Sequence, residues 1–147
     1  MNSQVLKRLN NELGKNTEIS DIIINGNNIS FIYKSFSYEF NIPKFYPFKG
    51  PYEFYENNIK KNYSNILQNL KDLYFKFYKS CPCCDNLLCP SNWSPKILII
   101  DVINEYHTFE RRLILLEKID LLLKKTRYKR IPEEVDITIL SFIDLNL

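Results

Sequence analysis

Between residues 36 and 42 the chain reads FSYEFNI, which places Phe36, Tyr38, Phe40 and Ile42 on every second position. A period of two marks a strand with one buried face, and Pro43 ends it because proline has no N–H to give to a ladder. This strand constrains its neighbours, since it needs partners on both sides. Residues 19–25 and 29–34 are rich in β-branched and aromatic side chains, and Asn25-Gly26-Asn27-Asn28 lies between them. An Asn-Gly pair in that position is a strong hairpin signal. After KFYPFKGP, residues 52–56 read as a fourth, short strand. The expectation is an antiparallel meander of four strands. Ahead of it, Val5, Leu6, Leu9 and Leu13 recur at helical spacing, with Lys7, Arg8, Asn10 and Asn11 opposite and Gly14 as a stop.

From Asn57 the period lengthens. Ile59, Tyr63, Ile66, Leu67, Leu70, Leu73 and Phe77 form an apolar stripe, predicting a helix over residues 57–79. Further on, Ser94 is the expected N-cap and Pro95 the first residue of a largely buried helix carrying Ile97, Ile100, Val102, Ile103 and Tyr106. Residues 109–126 are predicted as another helix, and Pro132-Glu133-Glu134 as the start of a last short one. Strands followed by helices define an α+β chain.

At 147 residues one domain with a core of its own is expected. The net charge of +3 is close to balanced, and the basic cluster KKTRYKR at 124–130 reads as a solvated helix end, so no nucleic-acid partner is expected. The absence of alanine and the abundance of Ile, Asn, Lys and Tyr reflect an AT-rich coding genome. The N-terminus MNSQVLKRLNNEL has no apolar core of a signal peptide, and no apolar run reaches membrane-spanning length. A reducing compartment, cytoplasmic or nuclear, and no membrane partner are therefore expected, so that four cysteines do not argue for disulfides.

Residues 81–95, CPCCDNLLCPSNWSP, hold all four cysteines and the only tryptophan. A reactive thiol needs a loop that keeps its sulfur near solvent and a large aromatic that holds the loop down. Trp93 is predicted to be that anchor.

Four segments together resemble the ubiquitin-conjugating enzymes, which accept ubiquitin on a cysteine as a thioester. VLKRLNNEL (5–13) is similar to the family's first helix, and FSYEFNIPKFYPFKGPYEF (36–54) to its third strand, Tyr-Pro-Phe turn and fourth strand. CDNLL (84–88) resembles its nucleophile segment, and NWSPKILIIDVI (92–103) its Trp-Ser-Pro loop and following helix. The resemblance implies that fold: an N-terminal helix, a four-stranded antiparallel meander and C-terminal helices. It also implies a carrier of ubiquitin or a ubiquitin-like protein, served by an activating enzyme and a ubiquitin ligase, with no cofactor.

Residue by residue, the resemblance assigns Lys7 and Arg8 to the activating-enzyme surface, and Phe48, Ser94 and Pro95 to the ligase surface. Lys7 and Arg8 are expected to be exposed, and Tyr46 and Phe48 to be core. The nucleophile is assigned to Cys84, with Cys89 and Cys81 as alternatives. The family's His-Pro-Asn motif is missing, which leaves Asn86 or Asn92 as the amide that would stabilise an oxyanion. The only histidine, His107, is expected on the surface. A reading from another class also stands: Cys81, Cys83, Cys84 and Cys89 match a tetrahedral Zn²⁺ site in ligand number, making this an interaction module stabilised by metal. A catalytically inactive relative that binds its partners noncovalently is a third reading.

Overall fold

A computed structural model describes residues 3–78, 86–87, 89 and 91–126. The predicted helix at Pro132, most of the basic cluster at 124–130, and Cys81, Cys83 and Cys84 lie outside the described residues. The chain is α+β. Helix α1 (Ser3–Gly14) leads into strands β1 (Ile19–Asn25), β2 (Asn28–Tyr33), β3 (Phe36–Asn41), β4 (Glu53–Glu56) and β5 (Ile59–Asn62). Helices α2 (Tyr63–Tyr78) and α3 (Ile99–Thr126) follow. The five strands form one antiparallel sheet in sequence order.

The sheet has one strand more than the four expected, and the reason lies at Asn57. Asn57 and Asn58 both take positive φ, 48° and 64°, and join Glu56 to its cross-strand partner Ile59. That is a two-residue hairpin turn in which asparagine is favoured at both central positions. Ile59 is exposed on β5, so its spacing with the α2 stripe is coincidental. The helix begins six residues later than predicted, where the Asn62 side chain accepts from Asn65 N at 3.1 Å and caps it.

The inner face of the sheet follows the period of two. Ile29, Phe31 and Tyr33 of β2, Tyr38 and Phe40 of β3, and Phe54 of β4 are all buried. Their rings stack across the strands: Phe31 and Phe40 lie 6.1 Å apart and nearly parallel, and Phe40 and Phe54 lie 5.0 Å apart. Phe54 then meets Tyr106 of α3 edge-on at 5.2 Å. Such pairs add to area burial and help fix register. Phe36 shares the face by period, yet it stays 46% exposed.

Helix α3 corrects two further expectations. It is one continuous helix of 28 residues, where two were predicted with a boundary near Phe109. No glycine or proline occurs between Ile99 and Thr126, so nothing interrupts it. Ser94 and Pro95 do not open it; Ile97 N bonds Ser94 O at 3.0 Å and closes a turn, and the helix begins at Ile99. Leu98 takes the N-cap position, its N–H donating to the Asp101 carboxylate of the first turn at 2.8 Å, while Ile99 N donates to Glu12 of α1. The sequence offers a serine, but the start of α3 is capped by two carboxylates, one in its own first turn and one on α1.

Helices α2 and α3 pack together through Tyr63, Ile66, Leu70, Phe109 and Leu116. Tyr63 and Phe109 meet edge-on at 5.9 Å, and Lys76 of α2 pairs with Asp120 of α3. No helix among the described residues is long and apolar enough to cross a membrane.

Candidate functional site

The described part of the cysteine segment is held at several points. Cys89 N donates to Asn86 O at 3.3 Å, and Cys89 O accepts from Asn92 N at 2.8 Å and Trp93 N at 2.9 Å. Asn92 Nδ2 returns to Asn86 O at 2.9 Å. These bonds draw the described residues 86, 87, 89 and 91–93 into two successive turns. Two long-range contacts then fasten it. Trp93 Nε1 donates to Pro47 O at 2.9 Å, in the turn between β3 and β4, and Leu87 N donates to both carboxylate oxygens of Glu105 at 2.9 and 3.0 Å.

Glu105 also accepts from the Tyr63 hydroxyl, so one half-buried carboxylate of α3 ties the loop to α2. Burial raises its pKa above the ordinary carboxylate value, opposed by those hydrogen bonds. Trp93 is the predicted anchor, although it is partly rather than fully buried, packing at the edge of the core.

On this support Cys89 is a free, half-exposed thiol. Its sulfur lies 3.0 Å from Ser91 Oγ, and that hydrogen bond lowers the thiol pKa below its ordinary value. A donor to sulfur favours the thiolate, the form that attacks carbonyl carbon. Asn86 is only 2% exposed, whereas Asn92 faces solvent. Cys84, the first choice by resemblance, lies outside the described residues, as do Cys81 and Cys83 of the alternative zinc set. Among the described residues no group of three or more His, Cys, Asp or Glu is arranged to hold a metal ion.

The two proposed partner surfaces differ from expectation. Lys7 is exposed, but Arg8 is not a free surface cation. Its guanidinium donates to Ile97 O at 3.3 Å, lies 3.7 Å from the Glu12 carboxylate and sits 5.4 Å from the Tyr46 ring centroid. Helical spacing puts Arg8 and Glu12 one turn apart, on the side of α1 that meets the start of α3. Tyr46 is buried as predicted, but Phe48 is not core: it is 78% exposed, on a turn closed by Phe48 N to Phe45 O at 2.7 Å. Phe45 is exposed beside it, and Lys44 and Lys49 flank the pair. Ser94 and Pro95 are half-buried.

His107 is not a plain surface imidazole either. Its Nε2 lies 2.9 Å from Glu56 Oε1 and 3.2 Å from the Tyr38 hydroxyl, and its Nδ1 lies 3.3 Å from Glu110 Oε2. Tyr38 donates to Glu56 at 2.7 Å, and Lys61 bridges Glu56 at 3.3 Å and Glu110 at 2.8 Å. The sequence carried one signal for this cluster. Glu56 lies two residues after Phe54 in a strand, hence on the same inward face, and a carboxylate there requires partners.

Comparison with protein families, characterised proteins and solved structures finds no match to the chain.

Proposed function

We propose that the chain is a thioester carrier of ubiquitin or a ubiquitin-like modifier, built on a ubiquitin-conjugating-enzyme-like arrangement with its thiol on the 81–95 loop. One observation carries the reading. A half-exposed thiol with a lowered pKa rests on a double turn that is fastened to the sheet side by Trp93 and to α3 by Glu105. Carrier chemistry has two demands: a sulfur that is partly thiolate, and a mount rigid enough to hold a protein-sized acyl group in reach of an amine.

The thiolate attacks the activated C-terminal carbonyl of the modifier, forming a C–S bond as the activating group leaves. A lysine amine, of a target or of a ligase-bound protein, then attacks the same carbon; the C–N bond forms, the amine releases a proton to solvent, the C–S bond breaks and the thiolate returns. The Ser91 hydroxyl is the donor next to the reacting sulfur. The resemblance assigns the nucleophile to Cys84, and the exposure and lowered pKa of Cys89 support that residue as the alternative.

Incubation with activating enzyme, ATP and ubiquitin is expected to give a product band that reducing agent removes. The band is expected to disappear in Cys89→Ser, and loss in Cys84→Ser alone would move the role to that residue. A band surviving in the double variant, or none in the wild type, ends the carrier reading.

A second reading has its own support in the exposed Phe45 and Phe48 between Lys44 and Lys49. A non-catalytic module would bind a ligase or ubiquitin through those rings. It predicts an uncharged wild type that still titrates with the partner by NMR and loses binding in Phe48→Ala. The zinc version predicts about one equivalent of tightly held Zn²⁺ by elemental analysis.

A further inference from the structure

Three separate stretches of the chain meet at one end of the molecule. The Tyr46 hydroxyl donates to Glu12 of α1 at 2.9 Å, the Trp93 indole donates to Pro47 O at 2.9 Å, and Arg8 of α1 donates to Ile97 O at 3.3 Å. The turn at 43–50, residues 93–98 and one side of α1 therefore border one another. Arg8, Asn11, Lys15 and Leu98 line the same depression, and Lys7 lies one helical turn before Asn11.

What this end presents is apolar and basic. Phe48 and Phe45 are 78% and 66% exposed, and Leu98 is 38% exposed. Among the described residues no other large apolar side chain is as exposed as the two rings. Phe48 N and Lys49 N both donate to Phe45 O, at 2.7 and 3.1 Å, so a fixed backbone holds the rings out in water. Lys7, Lys15, Lys44, Lys49 and Lys96 are exposed around them, and none makes an ion pair with the described residues. Residues 43–50 and 93–98 contain no Asp or Glu. The one acid of α1, Glu12, is engaged by Tyr46 and Ile99 N, and Asp101 by Leu98 N.

We propose that this end docks on an anionic lipid bilayer, with Phe45 and Phe48 entering between the headgroups and the lysines meeting the lipid anions. Interfacial binding draws on these two contributions together, buried apolar area and attraction of lysine to anionic headgroups. Lysine is depleted in protein–protein interfaces, whereas five surround these rings. Single-stranded nucleic acid follows a charged groove, whereas the rings stand on a turn. The contact lies on the bilayer and needs no spanning helix, so it departs from the expectation of no membrane partner, which rested on hydropathy. It is independent of the carrier reading.

Co-sedimentation of the full chain with vesicles tests this. Phosphatidylcholine vesicles with about 30% phosphatidylserine are expected to bind at least about tenfold more tightly than phosphatidylcholine alone, and that binding is expected to fall about tenfold between about 0.1 M and about 0.5 M NaCl. Phe45→Ser with Phe48→Ser, and separately Lys44→Gln with Lys49→Gln, are each expected to weaken it about tenfold at an unchanged melting temperature, since all four side chains are exposed. Ile59→Ser, at a side chain 63% exposed on β5, is expected to bind as the wild type does. No binding to the anionic vesicles at millimolar lipid, or an equal loss in Ile59→Ser, overturns the proposal. Binding undiminished without the two rings overturns their insertion. An oligo(dT) strand or ubiquitin that binds through Phe48 where vesicles do not assigns the surface to that partner and overturns the lipid contact.

Discussion

At Glu12 a carboxylate occupies a position on α1 where an apolar residue would serve the helix–sheet contact. Its side chain is 2% exposed, accepts from the Tyr46 hydroxyl at 2.9 Å and from the first N–H of α3, and lies 3.7 Å from the Arg8 guanidinium. Burial raises its pKa above 4.5, with the Ile99 and Tyr46 hydrogen bonds working against that rise. A raised folded-state pKa means that the native protein takes up this proton before the unfolded chain does as pH falls. Its contribution to stability is therefore greatest below the unfolded value and is lost as pH rises through the folded one. Comparing urea midpoints of wild type and Glu12→Gln from about pH 7 to about pH 4.5 isolates it. The wild type is expected to gain stability on acidification relative to the variant. An identical slope in both would remove Glu12 from that role. The Cys89–Ser91 pair gives a second prediction at this scale. With the other three cysteines replaced by serine, Ser91→Ala is expected to shift the pH midpoint of thiol alkylation upward, because the sulfur loses the donor that favours its thiolate.

Two elements show what local sequence leaves undecided. Helix α3 runs unbroken through residues 106–109, so Thr108→Pro is expected to cost about 3 kcal/mol or more by chemical denaturation. A boundary between two helices there would have tolerated proline. The described residues around Cys89 depend on the indole of Trp93 for one of their two long-range fastenings. Trp93→Phe keeps a ring and removes the bond to Pro47 O, for an expected loss of about 1 kcal/mol. Trp93→Ala is expected to lose about 2–4 kcal/mol, at or below the range for a fully buried aromatic because the ring is partly exposed. Equal effects of the two changes would mean that packing contributes nothing and the hydrogen bond everything.

For the molecule as a whole, α1 and α3 are joined end to end by Glu12, with Leu9 and Leu13 fully buried beside the sheet. Deleting residues 1–14 is therefore expected to abolish the cooperative thermal transition rather than lower its midpoint. A sharp residual melt would make α1 an accessory to the fold. The sequence by itself determined the alternating strands around Phe40, the start of the meander, the amphipathic first helix and, within the described part of the predicted 81–95 loop, the turns beside Trp93. Each of these is written in neighbouring residues, through a period of two, a period near 3.6, or turn chemistry. Only the tertiary structure decided that Asn57-Asn58 turn into a fifth strand, that Arg8 faces inward while Phe48 faces solvent, and that His107 joins Glu56. Those outcomes depend on which distant group supplies a partner. A carboxylate on α1 caps α3, and a glutamate on β4 reaches a histidine 51 positions away in the chain. Burying a polar group is favourable only when such a partner arrives, and the spacing of residues along the chain does not encode that arrival.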